Sequence, residues 1–177
     1  MAEAIQALRL TPGYVIKNFD CGDTDLNDFF HNTSFDYLKK LLAVTYVIEN
    51  SEDTIAFFSL ANDKIAQDIS NNSTWRKVKK DFPHSKHRSD YPAVKICRLG
   101  VSTKYNRQGI GTDLLHSIKN MLISNNRTGC CFITVDAYLQ SEGFYMKNGF
   151  KRLNPNEKIK GGNDTVLMYY NLQELIE

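Results

Sequence analysis

In the stretch YNRQGIGTDLLHSIKNML, residues 105–122, Gly109 and Gly111 stand one residue apart just ahead of an amphipathic run. The apolar, strand-like segment AVKICRLGVS, residues 93–102, precedes them. Strand, tight turn and helix must therefore follow one another here. The first backbone N–H groups of a helix have no partner inside it. Together with the helix dipole they favour an anion there, by about 0.3–1 kcal/mol. Glycine lets that anion approach where a Cβ would collide. The turn reads either as a phosphate cradle or as a plain closure of strand onto helix. Two phosphate motifs are excluded: no Lys follows Gly111, as a P-loop requires, and Leu114 stands where a dinucleotide fingerprint needs its third glycine.

The rest of the chain reads as one domain, 1–177, with no repeat, low-complexity tract or Pro/Gly-rich linker. AIQALRL, residues 4–10, is a first strand stopped by Thr11-Pro12-Gly13. From Asp23 the pattern is helical, with Leu26, Phe29, Phe30, Tyr37, Leu38, Leu41 and Leu42 mostly on one stripe, and Asp23 or Thr24 as its cap. VTYVIEN and TIAFFSLAND flank the turn SED and form a hairpin. Residues 64–90 are polar, with a short helix around Trp75. After the glycine turn come a helix from Thr112 to about Ser124, a strand CCFITVDA, a short helix Ser141–Lys147 and a last strand TVLMYY. A hairpin-like first half and an alternating second half predict an α/β (α+β) domain. Its sheet is mixed, mostly antiparallel and twisted, with helices on both faces.

Bulk properties exclude several classes. No apolar run approaches the roughly 20 residues that span a bilayer, and MAEAIQALRL lacks the marks of a signal peptide. A cytoplasmic chain without a membrane partner is expected. A net charge of +2 does not by itself imply nucleic acid. Cys21, Cys97, Cys130 and Cys131 show no C-x-x-C spacing and are expected as reduced thiols. Adjacent Cys130 and Cys131 should point to opposite faces of their strand. His84 and His87 in HSKH have no matching carboxylate or Cys pair for zinc. His31 and His116 read as partly exposed helical residues, and no G-x-S-x-G hydrolase turn occurs.

RLGVSTKYNRQGIGTDLL, ITVDA and FYMKNGF, in that order, resemble the GCN5-related N-acetyltransferase (GNAT) family, strongly over residues 93–152 and more loosely elsewhere. The resemblance implies the acyl-CoA N-acyltransferase fold, acetyl-CoA as co-substrate, a primary amine as acceptor and no metal. In that family the loop Q/R-x-x-G-x-G/A binds the CoA pyrophosphate. Asn106-Arg107-Gln108-Gly109-Ile110-Gly111 corresponds to it. Asn106 is shorter than the family's Gln or Arg, and Arg107 brings a charge where the family often has Gly. The resemblance places Leu99, Gly100 and Val101 on a strand that pairs with the pantetheine amides, where an N–H polarises the thioester carbonyl. Gln108, Gly109, Ile110, Gly111 and Thr112 would cradle the pyrophosphate. Tyr145 would protonate the departing CoA thiolate, as a phenol still protonated at neutral pH can. Phe144 and Phe150 read as core packing. Asp136 and Glu142 are candidates for the base that deprotonates the amine, beside a water relay.

The first half, with FDCGDTDLNDFF ahead of a helix, resembles the acetyltransferase toxins of bacterial toxin–antitoxin pairs. Those proteins acetylate the amino group of aminoacyl-tRNA and are neutralised by a small DNA-binding antitoxin. Candidate partners are thus aminoacyl-tRNA, an antitoxin protein and a second copy of the chain in a homodimer. WRKVKKDFPHSKHR carries six Lys/Arg against one Asp. It reads as a solvated helix face and loop, or as a landing strip for tRNA with Trp75 available to stack. The rival from another class is a non-catalytic CoA- or RNA-binding module, which would gain little from an acid at Tyr145.

Overall fold

Thr54–Ala66 (β3) and Asp90–Val101 (β4) are the longest strands of a seven-stranded sheet. Leu8–Arg9 (β1), Val44–Glu49 (β2), Phe132–Tyr138 (β5), Lys151–Arg152 (β6) and Thr165–Asn171 (β7) complete it, in the order β1-β2-β3-β4-β5-β7-β6. The pairs β1/β2, β2/β3, β5/β7 and β6/β7 are antiparallel. Among the described residues five α-helices accompany the strands: Thr24–Asp28 (α1), Ser34–Lys39 (α2), Asn72–Lys80 (α3), Ile110–Ser124 (α4) and Leu139–Lys147 (α5). The computed structural model describes residues 6–67, 72–80, 82, 88–127, 129–156 and 165–176. The chain divides into two compact units, residues 1–61 with 96–124 and residues 62–95 with 125–177. The mixed, mostly antiparallel α/β fold agrees with the sequence reading.

The first unit is built on aromatic residues. Leu10, Phe19, Phe29, Phe30, Val47 and Phe57 form its core. Phe30 stacks on Phe57 at 4.4 Å, and Phe19 meets the two rings edge-on at 5.0 and 5.4 Å. Asp23 is the cap of α1, its carboxylate accepting from the Leu26 N–H at 3.0 Å. The expected single helix is interrupted by a π-helical turn, Phe29–Thr33. It also ends early: Leu41 has φ +58°, Leu42 N–H closes back on Tyr37 O at 2.9 Å, and the two leucine side chains are 90 % and 54 % exposed. A left-handed residue cannot continue the helix, so Leu41 and Leu42 leave the stripe predicted for them. In the β2–β3 hairpin, Asn50 Oδ1 accepts from the N–H groups of Glu52 and Asp53 at 2.9 and 2.8 Å, an Asx-type turn.

The second unit has its own core of Ile65, Trp75, Val78, Tyr91, Ala93, Phe132, Leu153 and Tyr169. Trp75 is only 4 % exposed. It anchors α3 and offers no face for stacking on a base, which corrects that part of the sequence reading. β5 begins at Phe132, so the alternation expected for Cys130 and Cys131 does not apply. Instead the Asn126 side chain grips Cys130, accepting from its N–H and donating to its C=O, both at 2.7 Å. β1 spans only Leu8–Arg9, and Ala4 and Ile5 of the predicted first strand lie outside the described residues, as do His84 and His87. Among the described residues no His/Cys/Asp/Glu group could hold a metal, and no helix is long and apolar enough to cross a membrane.

Candidate active site

In the first unit the glycine turn is anchored before it begins. Ser102 N–H donates to Ile55 O at 2.9 Å, and Thr103 N–H to Asp20 O at 2.9 Å. A single 3₁₀ turn follows, Thr103–Tyr105. Its side chains converge on Asp53, at the hairpin turn: Lys104 Nζ donates to both carboxylate oxygens at 3.0 and 2.9 Å, and Tyr105 OH donates at 3.2 Å. Asn50 Nδ2 donates to the same phenol oxygen at 2.8 Å. The Lys104 ammonium holds the Asp53 carboxyl below its usual range. Sequence reasoning took Asp53 for a turn residue. Only the spacing of a lone buried acid against a distant Lys-Tyr pair could have signalled more.

Beyond Tyr105 the backbone reverses sharply. Asn106 is extended (φ −62°, ψ 153°), Arg107 has φ +63° and Gly109 φ +82°. A non-glycine residue in the left-handed region costs on the order of 1 kcal/mol, and Arg107 occupies the place where the resembled family often has Gly. Asn106 to Gly109 are exposed. Gly109 O accepts from Thr112 N–H at 2.9 Å and Asp113 N–H at 3.1 Å, which starts α4. The Thr112 amide is thus engaged inside the first helical turn. Of the predicted cradle residues, Ile110 and Gly111 head the helix with N–H groups that have no intrahelical acceptor. Asp113 in the first turn suits the positive helix end.

Upstream, Leu99 and Val101 are half-buried and Gly100 is buried. A Cβ on Gly100 would stand 2.8 Å from Phe57 Cε1 and 3.3 Å from Phe19 Cζ. Glycine is required there so that β4 can lie against the aromatic core, whatever else its backbone does. These residues, the 3₁₀ turn and the predicted cradle all belong to the first unit.

Tyr145 belongs to the second unit. Its ring is 7 % exposed and meets Phe144 and Phe150 edge-on at 5.1 and 5.4 Å. Phe150 is core; Phe144 is half-buried. The helix stop KNG fixes the tyrosine. Phe150 N–H and Asn148 N–H both donate to Tyr145 O at 3.0 Å, and Asn148 Nδ2 donates to Phe144 O at 2.9 Å. Gly149, at φ +85°, sits where a Cβ would come within 2.9 Å of the Tyr170 ring. Burial pushes the Tyr145 phenol up to about 12, so it is protonated throughout the neutral range.

Both carboxylates considered as bases are paired. Glu142 accepts from Arg152 Nε and, at 2.7 Å, from Nη2, and the guanidinium holds its carboxyl below the usual range. Asp136 Oδ2 lies 2.5 Å from Lys95 Nζ. On α3, Thr74, Trp75 and Val78 are buried, while Arg76, Lys77 and Lys80 are exposed and Lys79 is half-buried. None of these four cations enters an ion pair among the described residues.

Comparison with known proteins bears on both units. The family model described as an acetyltransferase (GNAT) domain matches residues 51–172. A solved bacterial toxin is 18% identical, with a TM-score of 0.76 over 97% of this chain and 92% of that one. A Tyr-to-Phe mutant of KacT is 18% identical, with a TM-score of 0.72 over 97% and 98% of the two chains. AtaT complexed with acetyl-methionyl-tRNAfMet is 16% identical, with a TM-score of 0.68 over 89% and 88%.

Proposed function

The chain belongs to the acetyltransferase (GNAT) domain family, and from that premise we propose that it acetylates the amino group of an aminoacyl-tRNA. Acetyl-CoA is the acetyl donor of the family, and N-acetyl transfer is its reaction. The observation that carries the acceptor is the outer side of α3, with Arg76, Lys77 and Lys80 exposed and in no ion pair among the described residues, on a chain of net charge only +2. Cations set on one short helix suit a phosphate backbone. The likeness in fold to AtaT, solved with acetyl-methionyl-tRNAfMet, supports the same acceptor. The solved AtaT–AtaR complex on DNA supports a DNA-binding antitoxin as a further partner.

The chemistry assigns each residue a task. The Ile110 and Gly111 amides and the Arg107 guanidinium hold the pyrophosphate. The backbone of Leu99, Gly100 and Val101 aligns the pantetheine arm and polarises the thioester. The neutral amine attacks the carbonyl carbon, the C–S bond breaks, and Tyr145 supplies the proton that the thiolate takes. A phenol near 12 holds its proton more tightly than a thiol of pKa about 8.5. Donation therefore runs with the return of a proton from the acetylated nitrogen, and the tyrosine ends unchanged.

The test is an acceptor panel of charged tRNA, free amino-acid amides and lysine peptides, read by thiol release and the acetyl mass shift. Acetylated aminoacyl-tRNA is expected. Reversing three charges, Lys77, Lys79 and Lys80 to Glu, should raise KM for aminoacyl-tRNA at least about tenfold, with KM for acetyl-CoA and for an amino-acid amide nearly unchanged. If every acceptor is used as the parent uses it, the tRNA reading falls and a small-molecule or protein amine takes its place.

A further inference from the structure

One sheet face of the second unit changes character along its strands. Ile65 on β3, Ala93 on β4, Phe132 on β5 and Tyr169 on β7 share the apolar core under α3. Side chains return to the same face every second residue. Two residues along each strand the positions are Asp63, Lys95, Thr134 and Leu167. Thr134 is fully buried, and its hydroxyl donates to Asp63 Oδ2. Lys95 meets Asp136, which lies opposite Leu167 in the β5–β7 ladder. A buried core has run out into a polar row holding two carboxylates and one ammonium.

Asp63 is the odd member. Asp136 has Lys95, whereas Asp63 is half-buried and enters no ion pair among the described residues. Thr134 occupies one of its oxygens, and Oδ1 has no hydrogen-bond partner among those residues. The charged and titratable groups facing it are Lys95 from β4, Asp136 from β5 and Tyr169 from β7, which stands opposite Thr134. Lys64, its neighbour on β3, turns to the other face and meets Asp90 at 3.2 Å. α3 presents Thr74, Trp75 and Val78 to this face, none of them ionisable. A carboxylate fixed by a buried hydroxyl, with one oxygen unpartnered and no ion pair among the described residues, suits an ammonium. β5 runs from Thr134 directly into α5, the helix of Tyr145.

We propose that Asp63 binds the ammonium of the acceptor and takes its proton, with Thr134 holding the carboxylate in position. The role rests on acetyl transfer to an amine. One proton passes from the ammonium to Asp63 and on to water, leaving a neutral amine. Its lone pair forms the N–C bond as the C–S bond breaks. The second nitrogen proton replaces the one that Tyr145 gives to sulfur. The sum is an amide, a free thiol and one proton released.

Asp63→Asn keeps the shape and the Thr134 bond but removes the base. Its kcat/KM for an α-amine acceptor should fall about 100-fold at the acid end of a pH series. The loss should shrink toward parity above the amine's pKa near 8, where the acceptor arrives neutral. KM for acetyl-CoA should not move, and Asp63→Glu should keep most of the activity. A fold defect alone would lower activity at every pH and would not be relieved by alkali. Equal activity of Asp63→Asn and the parent at all pH values overturns the assignment, as does the same pH-dependent loss appearing in Asp136→Asn instead. Should Asp63→Asn fail to fold, Thr134→Val leaves the carboxylate in place, and a pH-independent profile there overturns it equally. A parent that acetylates no amine sinks the acetyl-transfer reading itself, and this inference with it.

Discussion

Tyr145, proposed above as the acid, is a buried hydroxyl that also bears on stability. The Tyr145→Phe variant should keep the KM for acetyl-CoA and lose roughly 100-fold in kcat, the lower end of what a general acid contributes, in a thiol-release assay where chemistry limits the rate. Its pH behaviour follows from burial, which raises the folded phenol to about 12 from the ordinary 10.0. Below pH 10 both folded and unfolded chains keep the proton, so stability there is indifferent to this residue. From about pH 10 upward the unfolded chain releases the proton first, and stability must fall with rising pH until the folded phenol titrates too. Denaturant melts between those limits should fall more steeply for the parent than for Tyr145→Phe. The FYMKNGF motif singled out this tyrosine as a candidate in the sequence. What it did not reveal was the partner of each carboxylate: Glu142 on α5 lies beside Arg152 of β6, and Asp136 on β5 beside Lys95 of β4, because such pairs depend on how elements pack together, which no local spacing encodes.

At the scale of elements, the glycines of one segment answer to different demands. Gly109 turns the chain through φ +82° with nothing within 4 Å of an added Cβ. Gly100 has ordinary strand geometry and no room at all. Gly100→Ala should therefore destabilise the fold by about 1–3 kcal/mol through overpacking against Phe57, measured as a shift in urea midpoint at constant m. Combining it with Phe57→Leu should recover part of the loss, since the clashing ring edge is gone. The glycine turn, the hairpin and the later helices and strands were legible because period and turn chemistry agree there. The helix after Asp23 was less so. Its apolar stripe runs through Leu42, but hydrogen bonds from Leu41 and Leu42 back to Leu38 and Tyr37 end it and turn the chain toward β2. Trp75 misled for a related reason: a basic neighbourhood says nothing about which way the one large ring points.

For the whole molecule, net charge is a poor guide to where its charges gather. A balance of +2 conceals a helix on which Lys and Arg fill the outer side while Thr74, Trp75 and Val78 fill the inner. The proposed phosphate contacts would carry their own signature. Each neutralised phosphate adds about 0.7–0.9 to the slope of log affinity against log salt. Binding of aminoacyl-tRNA should weaken steeply with salt, and the variant reversed at Lys77, Lys79 and Lys80 should give a slope shallower by about 2–3.

The Asp53 carboxylate, gripped by Lys104 from 51 positions further along the chain, carries a consequence for the order of events in folding. A contact of that span offers little until the entropy of closing the intervening loop has been met. The local hairpin, with its Asx turn, forms on a microsecond scale. Asp53 is then already seated, and the Lys104–Tyr105 turn docks onto a finished surface. The glycine loop is thus a late acquisition of the fold, shaped by a strand pair that never touches it in sequence.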